Sequence, residues 1–188
     1  QYANGEDCSP VAKQDYEPPI KSIGHGITTK EDLENAAEVW NVMLSLTQDI
    51  GHKLRVYNKD AGGIAIDIRN NQLEHRQWQC QFPARTHSTS YIAKAAFDLF
   101  ARSYQWSNPI RSVTVRAINL TSQDLPEQMD LFVDRTQIER HDKLESVVEQ
   151  LRDRFGKYAV IPAALCSKNS KMPTDREIEL KMPTGMVS

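Results

Sequence analysis

Two long stretches of the chain carry apolar residues at intervals of three and four, the period of an amphipathic helix. The first covers residues 33–54, and we expect it to begin at a capping box in which Thr28 or Thr29 precedes an acid by three positions. The second should be capped by one of residues 88–90 and end near Asn108-Pro109. The predicted inward-facing residues are Leu33, Ala36, Ala37, Trp40, Met43, Leu44, Thr47, Ile50 and Leu54 in the first helix, and Ile92, Ala96, Leu99, Phe100 and Tyr104 in the second.

Shorter stretches alternate apolar and polar residues with a period of two, which is typical of strands with one buried face. Residues 21–28 are interpreted as the first strand. Gly62-Gly63 should precede the second strand, Asn70-Asn71 should turn the chain into the third, and Pro83 should end it. The alternating residues are Ile64, Ile66 and Ile68 with Ala65, Asp67 and Arg69; Trp78, Cys80 and Phe82 with Gln77, Gln79 and Gln81; and Val113, Val115 and Ala117 with Ser112, Thr114 and Arg116.

This order of elements, βαββαβ, predicts an α+β, ferredoxin-like domain, with a four-stranded antiparallel sheet and two helices on one face. The other face is then open. Its small and hydrogen-bonding side chains suit contacts with phosphate oxygens, which fix position without reading sequence, but they equally suit an ordinary solvated face. Asp67 opposes phosphate contact at its own position. The predicted open face comprises Ser22, Gly24, Gly26, Thr28, Ala65, Asp67, Arg69, Gln77, Gln79, Gln81, Ser112, Thr114 and Arg116.

Charge alone does not establish a nucleic-acid partner. The net charge is −2, whereas autonomous DNA-binding domains are usually basic. Residues 21–120 contain 12 Lys+Arg and 9 acids, giving +3, between segments of −3 (residues 1–20) and −2 (residues 121–188). The acidic flanks and weak positive charge motivate an alternative interpretation, a ferredoxin-like protein-interaction or regulatory module without DNA binding.

No catalytic or metal-binding motif is recognisable in the sequence. The five histidines have no HxxxH or HExxH spacing, and Walker, GxGxxG and GxSxG motifs are absent. The three cysteines lie far apart, which indicates neither a disulfide framework nor a zinc ribbon. No apolar run is long enough to span a membrane, and no signal peptide is recognisable. We therefore expect a cytoplasmic protein without catalytic residues, cofactor or metal of its own, and a self-contained enzyme is disfavoured.

Ordered blocks of sequence resemble the C-terminal region of Y-family, translesion DNA polymerases of the DinB/UmuC (ImpB/MucB/SamB) type. Residues 3–7 (Ala-Asn-Gly-Glu-Asp) and 9–11 (Ser-Pro-Val) are similar to the family's exit from the thumb domain into a linker. Lys21-Ser22-Ile23-Gly24 is similar to the KSIG strand that opens the family's little-finger domain. Residues 77–83 and 110–116 stand where the family places strands along the DNA backbone. The resemblance covers most of the chain.

The resemblance implies that the domain holds DNA. In this family the open face of the little finger lies in the major groove of the primer-template duplex. The strand at Gln77 to Gln81 is rich in glutamine where relatives often carry Arg or Lys, so the affinity should be modest. Nucleotide addition and its Mg²⁺ ions would belong to the palm domain of a parent DNA polymerase that acts in SOS damage tolerance and DNA repair. The implied phosphate contacts are Lys21, Ser22, Gly24, Arg69, Arg76, Gln79, Ser112, Thr114 and Arg116.

A second resemblance lies behind the predicted domain. Gln128-Met129-Asp130-Leu131-Phe132 resembles the bacterial sliding-clamp motif, Gln-x-(Asp/Ser/Leu)-Leu-Phe, in which Leu131 and Phe132 would fill an apolar pocket. The alternative is that both side chains pack on their own domain. The implied partners are primer-template or damaged DNA, a sliding clamp and the parent polymerase core. The predicted boundaries are 1–20 for a linker from a missing thumb domain, 21–122 for the little finger, 123–142 for a clamp-binding segment and 143–188 for a helix with an extended tail.

Three smaller features complete the picture. Residues 85–90 lead into the second helix, whose free backbone N–H groups could receive a phosphate or simply be capped by side chains. Lys-Met-Pro-Thr occurs at residues 171–174 and again at 181–184, which is too short to define a repeat architecture. A third helix should end at Gly156 and carry the apolar residues Leu144, Val147, Val148, Leu151 and Phe155.

Overall fold

The elements follow one another in the order predicted from the sequence. A computed structural model describes residues 2–6, 11, 18–125, 135–166 and 171, with the backbone alone at residues 2, 135–139, 141 and 142. Short 3-10 helices cover Tyr2–Asn4 and Ala163–Cys166. The main elements are β1 (Ile23–Leu33), α1 (Ala36–Val56), β2 (Lys59–Asn70), β3 (His75–Thr86), α2 (Thr89–Ser103), β4 (Ile110–Ser122) and α3 (Arg135–Phe155).

The four strands form one antiparallel sheet in the order β1-β4-β2-β3. The two central strands are β4 and β2, whose pairing runs from Lys59 opposite Ser122 to Asn70 opposite Ile110. The predicted turn at Asn70 is confirmed, because its side-chain oxygen accepts from the backbone N–H of Gln72 and of Glu74. Since β3 follows β2 through this tight turn and β4 inserts between β1 and β2, the βαββαβ order gives the predicted α+β, ferredoxin-like sheet.

The core lies between one face of the sheet and the pair α1 and α2, which confirms the two-layer prediction. Each large apolar side chain removed from water there stabilises the fold by about 1.5–3 kcal/mol. The helices meet closely at Gly51, where a Cβ atom would overlap the Thr89 hydroxyl. α2 ends at Ser103, earlier than predicted. The largest fully buried side chains are Phe100, Leu33, Met43, Leu46, Ile50, Leu54, Ile64, Ile66, Ile68, Ile92, Ile110 and Val39.

The start of α1 differs from the prediction. Residues 28–33 continue β1, so the expected capping box is wrong. The Thr29 hydroxyl is buried and donates to the carbonyl oxygens of Glu31 (2.7 Å) and Arg111 (3.1 Å), which makes it part of the sheet and not a helix cap. Asn35 caps the helix instead and accepts an N–H of the first turn at 3.0 Å.

The buried stripe of α1 is correspondingly rotated in its first turns. The predicted inward residues Ala36 and Ala37 are exposed, because the helix begins there and its first turn lies beyond the edge of the core. Leu33 is buried, but as the last residue of β1. Met43, Thr47, Ile50 and Leu54 of the predicted stripe are buried, whereas Trp40 and Leu44 are only half-buried. The full set of buried residues is Val39, Val42, Met43, Leu46, Thr47, Ile50, Gly51 and Leu54.

β2 and β3 are longer than predicted. An irregularity in their pairing accommodates Gly62-Gly63 and Pro83, which were expected to lie at the ends of these strands. The register changes from Gly63 opposite Gln81 to Ala61 opposite Thr86. The extra residues of β3, which include Pro83, bulge away from the ladder at this point. Since β3 is an edge strand with one neighbour, a residue without an N–H is tolerated there, and Pro83 does not end the strand.

The third helix is present and ends where the sequence indicates, but it begins at Arg135, within the segment 123–142 that was predicted to precede it. Gly156 follows α3 with φ of 97°, a conformation that favours glycine, and its N–H donates to the carbonyl of Arg152 at 2.8 Å. The apolar side chains of Leu144, Val147 and Phe155 are exposed. Across the part of the chain that the structure describes, no helix is long and apolar enough to cross a membrane.

Candidate nucleic-acid interface

The open face of the sheet is built from rows of residues that cross all four strands. The register of the three strand pairs brings together residues that the period-two alternation assigned to one face. The helices cover the other face, so these rows lie on the open side of the sheet, where Ala65 alone among them is buried. In strand order, the first row is Gly24, Arg116, Ala65 and Gln79, the second is Gly26, Thr114, Asp67 and Gln77, and the third is Thr28, Ser112, Arg69 and His75.

Arg116 folds over the edge strand in the first row. A Cβ atom on Gly24 would overlap Cγ of Arg116 and lie 3.2 Å from its Cδ, so the missing side chain makes the room that the arginine occupies. Gly26 does the same for Thr114 in the second row. The two glycines accommodate side chains of the neighbouring strand β4. They therefore set the position of a cation and a hydroxyl on the open face.

Arg69 supplies the second cation, in the third row. Its Nη2 donates to the Thr28 hydroxyl at 3.3 Å, so the side chain reaches across β4 toward β1. The Nε atom of Arg69 is buried and has no hydrogen-bond partner among the described residues. Arg69 and Arg116 thus lie two rows apart on adjacent strands, with the hydroxyls of Ser112 and Thr114 beside them.

One acid interrupts this basic and hydroxyl-rich surface. Asp67 lies between Thr114 and Gln77 in the second row, and its side chain is 27% exposed. The Nδ1 atom of His75 lies 3.3 Å from its carboxylate. His75 was not predicted as a site residue, although extending the alternation of Gln81, Gln79 and Gln77 by two positions reaches it. The pair means that the open face is not uniformly attractive to phosphate.

A groove of about 540 Å³ crosses this face. Five of the predicted contacts line it together: Gly24, Arg69, Ser112, Thr114 and Arg116.

The remaining predicted contacts lie elsewhere. Gln79 is exposed on the edge strand β3, beyond the groove. Lys21 and Ser22 are exposed and precede the first residue of β1. The prediction that Arg76 belongs to the open face is wrong. Its register partner is the buried Ile68, which places Arg76 on the helix-covered side of β3. Side chains at odd positions of β3 reach the open face, and those at even positions do not.

The start of α2, considered above as an anion site, is occupied by a carboxylate of the chain itself. Glu145 of α3 accepts from the backbone N–H of Thr89 at 2.9 Å and of Ser90 at 3.2 Å. It also accepts from the Ser88 hydroxyl at 3.0 Å and from Nη1 of Arg55 at 3.1 Å. The positive end of the α2 dipole therefore does bind an anion, but this anion is the Glu145 carboxylate of α3 and not a phosphate.

α3 is held on the domain by further charged contacts around Arg55. Nη2 of Arg55 donates to Glu149 at 2.7 Å, and His52 also contacts that carboxylate. Burial opposes the ionisation of Glu149, but the hydrogen bonds from His52 and Arg55 outweigh it and hold the pKa of this carboxyl below its ordinary value. One turn further along α3, Nη2 of Arg152 donates to Gln48 at 3.0 Å. We call Arg55 with Glu145 and Glu149 the α3 lock.

The predicted clamp-binding segment and the possibility of a metal site need separate mention. The clamp-like segment, Gln128, Met129, Asp130, Leu131 and Phe132, lies outside the described residues. Among the residues that are described, no group of three or more His, Cys, Asp or Glu side chains could hold a metal ion.

Comparison with known families decides the relationship. The profile described as the impB/mucB/samB family C-terminal domain matches residues 20–131, more than half of the chain. The chain belongs to this family. The family match confirms the resemblance to the C-terminal region of Y-family polymerases, and it covers β1 to β4 together with the open face.

Curated relatives of this impB/mucB/samB-family chain include several proteins named DNA polymerase IV. The one from Acetivibrio thermocellus is 36% identical over 159 residues, covering 85% of this chain and 40% of the relative. The one from Alkaliphilus oremlandii is 29% identical over 177 residues, covering 89% of this chain and 43% of the relative. The chain therefore spans less than half the length of these relatives.

Solved structures give weaker likenesses. One is described as a complex of the beta-clamp processivity factor and the little finger domain of Pol IV, with 11% identity, a TM-score of 0.44, and coverage of 60% of this chain and 99% of that chain. Another is a chimeric Y-family DNA polymerase, with 16% identity, a TM-score of 0.49, and coverage of 60% of this chain and 32% of that one.

Proposed function

We propose that this domain is the little finger of an error-prone, translesion DNA polymerase and that it holds the primer-template duplex by its phosphate backbone. The observation that carries the proposal is the groove of the open face, where Arg69 and Arg116 lie beside the hydroxyls of Ser112 and Thr114. Guanidinium and hydroxyl groups donate to phosphate oxygens, which every nucleotide presents identically. The grip is therefore independent of sequence, as a polymerase that travels along DNA requires.

The charge of the groove implies a modest affinity. Two arginines line it, and Lys21 is exposed nearby in sequence, ahead of β1, while Asp67 contributes a negative charge. If three to five phosphates are neutralised, log K should fall with log salt at a slope of roughly −3 to −5. Such a domain would need the polymerase core, and a clamp, to stay on DNA.

In the whole polymerase this domain would play no part in the chemistry. The DNA polymerase IV relatives are more than twice as long as the matched region, which leaves room for catalytic domains outside it. We propose that templated nucleotide addition, its Mg²⁺ ions and the response to DNA damage belong to that complete protein. This chain alone is then expected not to extend a primer.

Changing Asp67 to asparagine should strengthen DNA binding. The substitution removes the acid from the groove and keeps a hydrogen-bonding side chain beside His75. Losing one repulsive charge at a partly exposed position should raise the affinity for a primer-template duplex about three- to tenfold at low salt. Fluorescence anisotropy with labelled DNA measures the change.

The matched control is Asp98→Asn, which alters net charge equally from an exposed position on α2, on the covered side of the sheet. We expect little effect there. Equal strengthening by both variants would show that total charge, and not the open face, governs binding. If the unmodified domain binds no duplex, the protein-interaction alternative takes the place of the proposal.

We further propose that Gln128 to Phe132 docks on a bacterial sliding clamp. Its support is the motif itself, with adjacent Leu131 and Phe132 suited to one apolar pocket. Changing both to alanine should weaken binding to the clamp at least tenfold, because such anchors carry most of the energy of short peptide interfaces. Surface plasmon resonance on immobilised clamp measures this. Leu125→Ala, at an exposed position shortly before the motif, is the control, and undiminished binding by the double variant would place the contact on another surface.

A further inference from the structure

Asp67, the acid in the groove of the open face, has a histidine beside it. Nδ1 of His75 lies 3.3 Å from the Asp67 carboxylate. The two residues are diagonal neighbours, because Asp67 of β2 pairs with Gln77, two positions along β3 from His75. Diagonal neighbours in an antiparallel sheet are about 7–8 Å apart, within reach of a long or aromatic side chain. Both residues line the groove, so the charge of this pair affects what the groove attracts.

The contact with Asp67 decides which ring nitrogen of His75 carries a proton. An ionised carboxylate only accepts hydrogen bonds, so the ring must donate to it from Nδ1. A neutral imidazole has a single N–H, and Nε2 is then a bare acceptor that repels a phosphate oxygen. The imidazolium has a second N–H at Nε2, so it can donate to Asp67 and to a phosphate at the same time. The His75 side chain is 58% exposed, so a ligand in the groove can reach the ring.

The other charged and titratable groups near His75 come from all four strands. They are Arg69 of β2, Arg116 of β4, His25 of β1, and Glu74 and Arg76 of β3 itself, of which Arg76 lies on the other side of the sheet. Arg69 is opposite His75 in register, but its Nη2 donates to the Thr28 hydroxyl at 3.3 Å, away from β3. The Glu74 carboxylate accepts from Nδ2 of Asn70 at 2.8 Å. The acid in contact with the ring is therefore the one in the groove.

We propose that His75 is a proton-dependent phosphate contact, in which the imidazolium donates from Nε2 to a phosphate oxygen of the duplex while Asp67 holds the ring. This inference rests on the proposed function, since it concerns how the same face holds DNA. The phosphate and Asp67 both favour the charged ring, so the complex binds more protons than the free domain. The affinity for DNA therefore rises as the pH falls. Asp67 acts as a positioning residue for His75, in addition to contributing a negative charge.

Fluorescence anisotropy of the full chain with a primer-template duplex, at constant ionic strength, tests the pH dependence. Between about pH 8 and pH 6, where an imidazole ordinarily changes charge, the affinity should rise about three- to tenfold. The salt slope should steepen by about one, because a cation is added to the interface. His75→Gln keeps an N–H donor but cannot take up a proton, so both changes should be absent in this variant.

Isothermal titration calorimetry in two buffers of different ionisation enthalpy measures the proton directly. Binding should take up as much as about one proton in the unmodified chain and less in His75→Gln. His52→Gln is the matched control, since it removes a histidine that also contacts a carboxylate, but from α1 on the covered side of the sheet. Its proton uptake should equal that of the unmodified chain.

Asp67→Asn separates the two roles of the acid. The strengthening of DNA binding expected for this variant should hold at about pH 8, where the ring is neutral. It should shrink at about pH 6, because the imidazolium loses the carboxylate that holds it. Equal strengthening at both pH values would overturn the positioning role.

The other outcomes also decide the proposal. Duplex binding that does not change with pH would overturn it and leave the proposed function standing, whereas absence of duplex binding at either pH would remove both. His25 also lines the groove, but its Nδ1 lies 2.8 Å from Asp49 of α1. A pH dependence that disappears in His25→Gln and persists in His75→Gln would assign the proton to that residue and overturn the role of His75.

Discussion

Replacing Arg55 with alanine is expected to release α3 from the domain. Arg55 contacts both glutamates of the α3 lock, at 3.1 Å from Glu145 and 2.7 Å from Glu149. Its side chain is 18% exposed and those of the glutamates are 15% exposed, so the substitution removes the guanidinium from two carboxylates in a partly dry environment. Glu145 then keeps only its donors at the start of α2, and Glu149 keeps its contact with His52. Removing one partner of a fully buried pair costs about 3–5 kcal/mol, and the residual exposure reduces this to about 2–3 kcal/mol. The docked state of α3 should therefore lose about 30- to 150-fold in relative population.

Hydrogen exchange of the α3 amides measures the release. Arg102→Ala, at an exposed position in the last turn of α2, removes the same side chain without touching the lock. The amides of Thr89 and Ser90 should lose protection together with α3, because Glu145 accepts from both. Wild-type protection of α3 in Arg55→Ala would contradict the account of how this helix is held.

Low pH should also weaken the docking of α3 through the α3 lock. The pKa of Glu149 lies below its ordinary value of 4.5 when α3 is docked. A carboxyl group of this kind stabilises the docked state at pH values above 4.5, and that contribution disappears as the pH falls through the lowered pKa. Protection factors of the α3 amides should therefore decrease as the pH falls from 4.5, before the near-ultraviolet circular dichroism of the core changes. A pH-independent protection factor would contradict the role of Glu149.

Changing Arg69 and Arg116 together to alanine is expected to give the largest loss of DNA affinity. These are the two arginines that line the groove of the open face. Each phosphate contact to an arginine contributes about 1–1.5 kcal/mol at moderate salt, so the double variant should bind a primer-template duplex about 30- to 150-fold more weakly. The salt slope should also fall by about two. Both changes should be the same for duplexes of different sequence.

Arg76→Ala is the informative control for this variant. Arg76 lies on the edge strand β3, next to the strand of Arg69, but on the helix-covered side, so its removal should leave affinity and salt slope nearly unchanged. A loss of affinity in Arg76→Ala comparable to that of the double variant would mean that DNA wraps around β3 and that the open face is not the whole interface. Thermal unfolding of all variants checks that the sheet is intact.

The period-two alternation was sufficient to predict the open face. Ser112, Thr114 and Arg116 could be assigned to one side of a strand because strand side chains alternate strictly, and the register then aligned them with Arg69 and Asp67. Arg76 shows the limit of resemblance, since the family's basic strand suggested a contact on the open face, whereas the parity of its position places it on the other side of the sheet. His75 could have been found by the same parity argument.

Tertiary contacts account for what the sequence did not predict. Thr28 and Thr29 match a capping box locally, but pairing with β4 and the buried Thr29 hydroxyl extend the strand through them. Local propensity is readily overridden in this way by non-local pairing. The α3 lock joins Arg55 to residues 90 and 94 positions further along the chain, and no local pattern can predict such a contact.

The most direct test of the central claim is a salt titration of the unmodified domain with two primer-template duplexes that share a length and differ in sequence. Anisotropy should give the same affinity for both and a slope of log K against log salt of roughly −3 to −5. These results would support a grip on the phosphate backbone through the open face. Binding that is independent of salt, or that distinguishes the two sequences by more than about tenfold, would contradict it.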